Sequence, residues 1–284
     1  MKVVLFCGGL GMRLKESEES LPKPLVKIGN MPILWHVMKY YAYFGHKDFI
    51  LCLGYKADLI KQHFLSYNEC LLNDFVLSNG GRNIELLSSD MRDWKITFAD
   101  TGIHCTVGQR LKLVQRYLEN EEMFLTNYSD GLSNVPLPEM IEFAKQHKTV
   151  ATFLCVKPNL TYHFVSLNND GSVTDIRDIH RSNIRINGGF YVFRKEIFNY
   201  IQNGEELVHG PFERLIQDRQ LSAYSYDGFW AAMDTFKDKQ QLEELHSRGN
   251  APWEVWRNPL LNPTVVETPL PAATYADARF PSQT

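Results

Sequence analysis

Apolar runs and helical periods alternate along the first half of the chain. Five short, nearly continuous apolar runs, at 3–7, 49–53, 96–99, 123–127 and 151–156, read as strands covered on both faces. Between them, 33–44, 58–64, 109–118 and 138–147 place apolar residues three and four apart among polar ones, the spacing of helices that lie on a sheet. The alternation predicts an α/β fold, a Rossmann-like, mixed but mostly parallel sheet flanked by helices. The second half carries shorter strands, 164–167, 173–176, 189–193 and 221–226, which are expected to extend the sheet and add a smaller β-rich region. Segment 235–246 reads as a helix ended by Gly249. From 257 to 284 the period is lost, and five of the thirteen prolines fall there. Residues 1–256 are therefore expected to form the domain and 257–284 a Pro-rich tail.

Composition narrows the function classes. A chain of 284 residues that is 44% hydrophobic can bury a sizeable core. Its net charge of -3 gives no general attraction to nucleic acid or to an anionic membrane, so basic residues are read locally. No apolar run approaches the roughly 20 residues of a membrane helix, and the N-terminus reads as a strand, so a cytoplasmic protein is expected. The five cysteines show no Cys-x-x-Cys spacing and do not pair with the nine histidines at zinc-ligand spacing. They read as small buried hydrophobes, Cys7 included.

The first apolar run leads into Cys7-Gly8-Gly9-Leu10-Gly11-Met12-Arg13, and then into Leu21-Pro22-Lys23-Pro24. Gly8, Gly9 and Gly11 let backbone N–H groups lie against phosphate oxygens. Arg13 offers a bidentate fork and Lys23 a point charge held by two prolines. The segment is neither of the common glycine fingerprints: Leu14 stands where a dinucleotide turn needs its third glycine, and no Gly-Lys-Ser/Thr follows. Two carboxylates stand out further along. Asp130 lies just past the apolar run at 123–127, where open α/β sheets place ligands, though an aspartate before Gly131 also suits a plain turn. Asp234 directly precedes the helix at 235–246, where it suits an N-cap as well as a ligand.

The chain resembles the sugar-1-phosphate nucleotidyltransferases, most closely their glucose-1-phosphate cytidylyltransferase branch. Besides the glycine turn, the matching stretches include Ile33-Leu34-Trp35-His36, Gly54-Tyr55-Lys56, Asp100-Thr101-Gly102, Gly108-Gln109-Arg110-Leu111-Lys112, Ser129-Asp130-Gly131, Ile186-Asn187-Gly188-Gly189-Phe190, Gly228-Phe229-Trp230, Met233-Asp234-Thr235 and Ala251-Pro252-Trp253. They run in family order from about residue 1 to about residue 256. The resemblance implies a Mg²⁺-dependent enzyme that transfers CMP from CTP to a sugar 1-phosphate and releases pyrophosphate. It further implies catalytic Arg13 and Lys23, and a nucleotide site built from Gly8, Gly9, Gly11, Arg13, Lys23, Thr106, Gly108, Arg110 and Asp130. Asp130 and Asp234 would hold the Mg²⁺, which prefers hard oxygen donors. A homo-oligomer is expected, with no nucleic-acid or membrane partner. The alternatives are the same transfer with UTP, dTTP or another phosphorylated acceptor, and a nucleotide-binding subunit with weak turnover. Arg110 would help select cytosine; otherwise it and Lys112 are solvated on a helix face.

The acceptor side departs from the family pattern. Arg177-Asp178-Ile179 stands where relatives carry Glu-Lys-Pro, Thr161-Tyr162-His163 where they carry Arg-Phe-Gly, and His209-Gly210-Pro211 where a sugar-binding glutamate is expected. The acceptor set is therefore expected to be Arg177, Arg181, Asn187, Gly188 and Trp230, with Arg177, His180, Arg181 and Arg185 available nearby to replace the missing lysine.

Overall fold

The computed structural model describes residues 1–9, 21–158, 163–179 and 184–257. In chain order its strands and helices begin with β1 (Val3–Phe6), β2 (Lys27–Ile28), β3 (Met31–Pro32), α1 (Ile33–Tyr43), β4 (Asp48–Leu53) and α2 (Ala57–Leu65). Then come β5 (Phe75–Ser78), β6 (Asn83–Leu86), β7 (Lys95–Asp100), α3 (Val107–Leu113), β8 (Met123–Tyr128), β9 (Gly131–Ser133) and α4 (Leu137–His147). The rest are β10 (Ala151–Val156), β11 (His163–Leu167), β12 (Val173–Asp178), β13 (Ile186–Arg194), α5 (Pro211–Gln217), β14 (Leu221–Tyr226), β15 (Trp230–Ala232) and α6 (Phe236–Ser247).

Seven strands form the central sheet in the order β14-β10-β13-β8-β1-β4-β7. The β1–β4, β1–β8, β4–β7 and β10–β14 pairs are parallel, and β13 runs antiparallel to both of its neighbours. The predicted mixed, mostly parallel sheet is therefore present. Successive residues of β1 face opposite sides: Val3 and Leu5 join a core with α1 and Trp253, while Val4 and Phe6 join another with α3 and Phe124. All four are essentially buried, which is why the strand reads as one apolar run. Because β1 lies between β4 and β8, its carboxyl end opens the crevice where such sheets bind ligands.

Two expectations are corrected, and one hairpin carries no signal in the sequence pattern. Segments 164–167 and 173–176 do not extend the sheet; β11 and β12 pair only with each other, and Phe164, Val165, Val173 and Ile176 stay exposed. Strand-like alternation marks a pleated segment without saying what covers its faces. The single helix expected over 109–118 is α3 followed by a 3-10 turn at Gln115–Tyr117. Val114, at φ -91° and ψ 0°, breaks the helix, and Val114 and Leu118 both remain in the core. The β5–β6 hairpin, closed through Asn79-Gly80-Gly81, was not predicted. Of the predicted tail, only Arg257 lies among the described residues.

Candidate active site

A buried arginine shapes the turn after β1. Arg110, on α3, is 4% exposed, and its guanidinium donates to Leu53 O (3.0 Å), Thr101 Oγ1 (2.7 Å), Gly8 O (3.1 Å) and Ile103 O (3.3 Å). These acceptors sit at the ends of β1, β4 and β7, so one planar fork ties three strand ends together. A Cβ on Gly8 would collide with this guanidinium, and one on Gly54 would lie 2.8 Å from Arg110 Nη1 and 2.9 Å from Gly8 O. Arg110 is thus not solvated on a helix face, and four of its five donors already have protein acceptors. Lys112 is also engaged, donating to Phe198 O at 2.8 Å.

Lys23 stands at the other end of the crevice, in a 3-10 turn between Pro22 and Pro24. Its ammonium lies 2.5 Å from Asp130 Oδ2 and 2.7 Å from Asp234 Oδ1. Burial pushes the Lys23 pKa down, yet the two carboxylates outweigh it and the pKa is raised, so the side chain stays charged. A small ladder brings the carboxylates together: β9 follows Asp130 and pairs antiparallel with β15, which precedes Asp234, and Met233 N donates to Asp130 O at 3.0 Å. Asp234 does not cap α6. Thr235 is the N-cap, in a reciprocal box with Asp238, which leaves the Asp234 carboxylate to Lys23. One cation already bridges two hard carboxylates here, a donor set that fits Mg²⁺ completed by ligand phosphates. Among the described residues no group of three or more His, Cys, Asp or Glu converges as a metal site.

Between these ends lies a cavity of about 540 Å³. Gly8, Gly9, Lys23, Thr106, Arg110 and Asp130 line it, together with Phe6, Tyr128 and Ser129 and, among residues the sequence did not single out, Ile103, His104, Cys105 and Glu206. A Cβ on Gly9 would meet nothing within 4 Å, so its backbone faces open space. Thr106 caps α3 and donates to Glu205 O at 2.5 Å. Gly108 is not among the lining residues; a Cβ there would press on Glu205 O at 2.5 Å. Cys7 is fully buried, and burial pushes its thiol up to about 12, which suits the core reading.

Gly11, Arg13 and Arg181 lie outside the described residues. The other acceptor-side residues do not line the cavity. Trp230 Nε1 donates to Gly188 O at 2.7 Å, joining β15 to β13. Asn187 donates to Tyr191 Oη at 2.8 Å and accepts from Gly189 N at 3.0 Å. Arg177 is exposed on β12 and pairs with Asp175. Arg185 is tied to Asp227 at 2.8 Å.

The nucleotidyl transferase family pattern matches residues 2–231. The glucose-1-phosphate cytidylyltransferase of Salmonella typhimurium is 36% identical over 258 residues, which span 90% of this chain and all of that one. A probable glucose-1-phosphate cytidylyltransferase of Bacillus subtilis is 35% identical over the same spans. Among solved structures, HddC from Yersinia pseudotuberculosis aligns with a TM-score of 0.62 at 20% identity, covering 86% of this chain and 99% of that one. A putative glucose-1-phosphate thymidylyltransferase from Bacillus anthracis, in complex with a sucrose, aligns at 0.61 with 16% identity, over 86% and 94%. These two likenesses describe the fold.

Proposed function

The chain belongs to the nucleotidyl transferase family, and we propose that it transfers CMP from CTP to a sugar 1-phosphate of the glucose 1-phosphate type, giving a CDP-sugar. One observation carries the reading: Lys23 meets Asp130 and Asp234 together, and Lys23 and Asp130 line the cavity beside the β1 turn. The cytidylyltransferases that match at 35–36% identity supply the donor and the acceptor class.

In this reaction an anionic oxygen of the sugar phosphate attacks the α-phosphorus of CTP, and the bond to the bridging oxygen breaks. Pyrophosphate leaves with that electron pair, the α-phosphorus inverts, and no proton need be removed from the nucleophile. Catalysis then consists of holding two polyanions together and offsetting charge in the transition state. Backbone groups at Gly8 and Gly9 border the phosphate space, and Lys23 supplies a charge that can shift from the carboxylates to the α-phosphate. Arg13 is assigned the remaining phosphate charge. Asp130 and Asp234 would hold Mg²⁺, which when bound would neutralise phosphate oxygens. A cytoplasmic homo-oligomer is part of the proposal; no helix among the described residues is long and apolar enough to cross a membrane.

The test is pyrophosphate release, measured for CTP, UTP, dTTP and GTP against a panel of sugar 1-phosphates with Mg²⁺. Release with CTP and a hexose 1-phosphate is expected. No release from any pair, alongside retained CTP binding, would leave a nucleotide-binding subunit in place of an enzyme.

A further inference from the structure

The cavity's charges are unevenly placed. Lys23 and Asp130 face each other at the metal end, and the second carboxylate among the described lining residues, Glu206, comes from the segment between β13 and α5. Glu206 is held at the start of α3, where its Oε2 accepts from Val107 N at 3.2 Å and from Leu207 N at 3.1 Å. Its Oε1 has only a 3.4 Å contact with Val107 N. The residue is exposed, so this second oxygen has room to meet a ligand.

A carboxylate in a cavity built for a triphosphate repels the phosphates and sets the polarity of that end. Arg110, the side chain from which cytosine selection was expected, has four of its five donors engaged by protein acceptors. Thr106 Oγ1 is held by Glu205 O and Gln109 N. Among the described lining residues, Glu206 offers the cavity a carboxylate acceptor that two backbone amides hold in place. Cytosine presents an exocyclic amino donor where uracil and thymine present a carbonyl oxygen. We infer that Glu206 determines base specificity, its Oε1 accepting from the amino group of CTP and repelling the O4 of UTP or dTTP. The inference rests on the cytidylyl-transfer reading. Anchoring by the Val107 and Leu207 amides fixes the carboxylate before the nucleotide arrives, so discrimination does not require the loop to reorder.

Calorimetry of wild type and Glu206→Gln with CTP, UTP and dCTP tests the assignment. A charge-assisted hydrogen bond exchanged for acceptor–acceptor repulsion is expected to give wild type at least a tenfold preference for CTP over UTP. In Glu206→Gln the amide oxygen can keep the Oε2 contacts while the NH₂ group replaces Oε1 and donates to O4, so the preference should fall below about threefold. An unchanged CTP/UTP ratio overturns the inference. So does an equal weakening of CTP and UTP, which would mark a ribose or purely structural role; comparison of CTP with dCTP separates those two. Wild type titrated with the triphosphate of 2-pyrimidinone riboside, which lacks the amino group, reads the contact without a mutation. It should bind about tenfold more weakly than CTP, and equal affinity would contradict the assignment. Wild type that binds none of these nucleotides would sink the cytidylyl-transfer reading itself, whereas binding without base preference would sink this inference alone.

Discussion

Three side chains define the centre of this molecule, and each has a distinct expected signature. The Lys23 ammonium lies between Asp130 and Asp234, the two carboxylates proposed to hold Mg²⁺. Lys23→Met should therefore bind Mn²⁺ about tenfold more tightly than wild type without nucleotide, because two carboxylates would otherwise lack a cation, while turnover falls by two to four orders of magnitude. Mn²⁺ titration followed by water proton relaxation reads the first effect, and unchanged affinity would remove Lys23 from competition for the site. Asp234→Asn should lower turnover comparably and leave the far-ultraviolet dichroism intact. For Arg110→Lys, loss of the fork that joins three strand ends should cost about 2–4 kcal/mol, measured by urea unfolding. Lys23, Asp130 and Asp234 were legible in the sequence because prolines, strand ends and a helix start mark them. The inward role of Arg110 was not, since it depends on two absent Cβ atoms, at Gly8 and Gly54, from distant segments. Glu206 carried no local signal, because it meets Val107, 99 positions earlier, only after the loop folds onto α3.

Short elements do the positioning that long ones make possible. The β9–β15 ladder brings Asp130 to Asp234 across about a hundred residues of chain, and each of its strands is only three residues long. Such strands lie below what apolar periodicity can register, so the ladder could not be read from sequence. Strands β1, β4 and β8 could, because they are buried on both faces and therefore nearly continuously apolar. The β11 and β12 segments show the reverse failure: their strand character was legible, whereas their separation from the sheet depends on partners that local pattern does not encode. The capping box at α6 makes a sharper point. Thr235 caps the helix, so Thr235→Ala should cost about 1 kcal/mol in thermal or urea unfolding and lower turnover as Asp234 loses its register. A full stability loss with turnover untouched would show that Asp234 is placed by the ladder alone.

For the whole molecule, the segment after α6 closes the body by returning to α1. His36 is 1% exposed, with Nε2 3.1 Å from Ile28 O and Nδ1 accepting from Trp253 Nε1 at 3.3 Å, the pattern of a neutral imidazole. Burial lowers its pKa from 6.5 to about 4, against the hydrogen bond to Ile28. The unfolded chain therefore takes up a proton near pH 6.5 that the native state refuses until about pH 4, and stability falls as pH drops through that window. The effect should reach about 2 kcal/mol at pH 5 relative to neutrality, and His36→Gln should flatten the slope of Tm against pH. Glu254, whose pKa is raised by burial, acts with the opposite sign and trims it. A Tm independent of pH between 7 and 5 in wild type would place His36 in water rather than in the core. Beyond stability, the same body has to bring two anions to one phosphorus. The most direct measurement is a single-turnover reaction of the enzyme with CTP labelled at the α-phosphorus, Mg²⁺ and glucose 1-phosphate. The label is expected to appear in a sugar nucleotide as unlabelled pyrophosphate is released; label that remains in CTP, or emerges as free CMP, would contradict nucleotidyl transfer at this site.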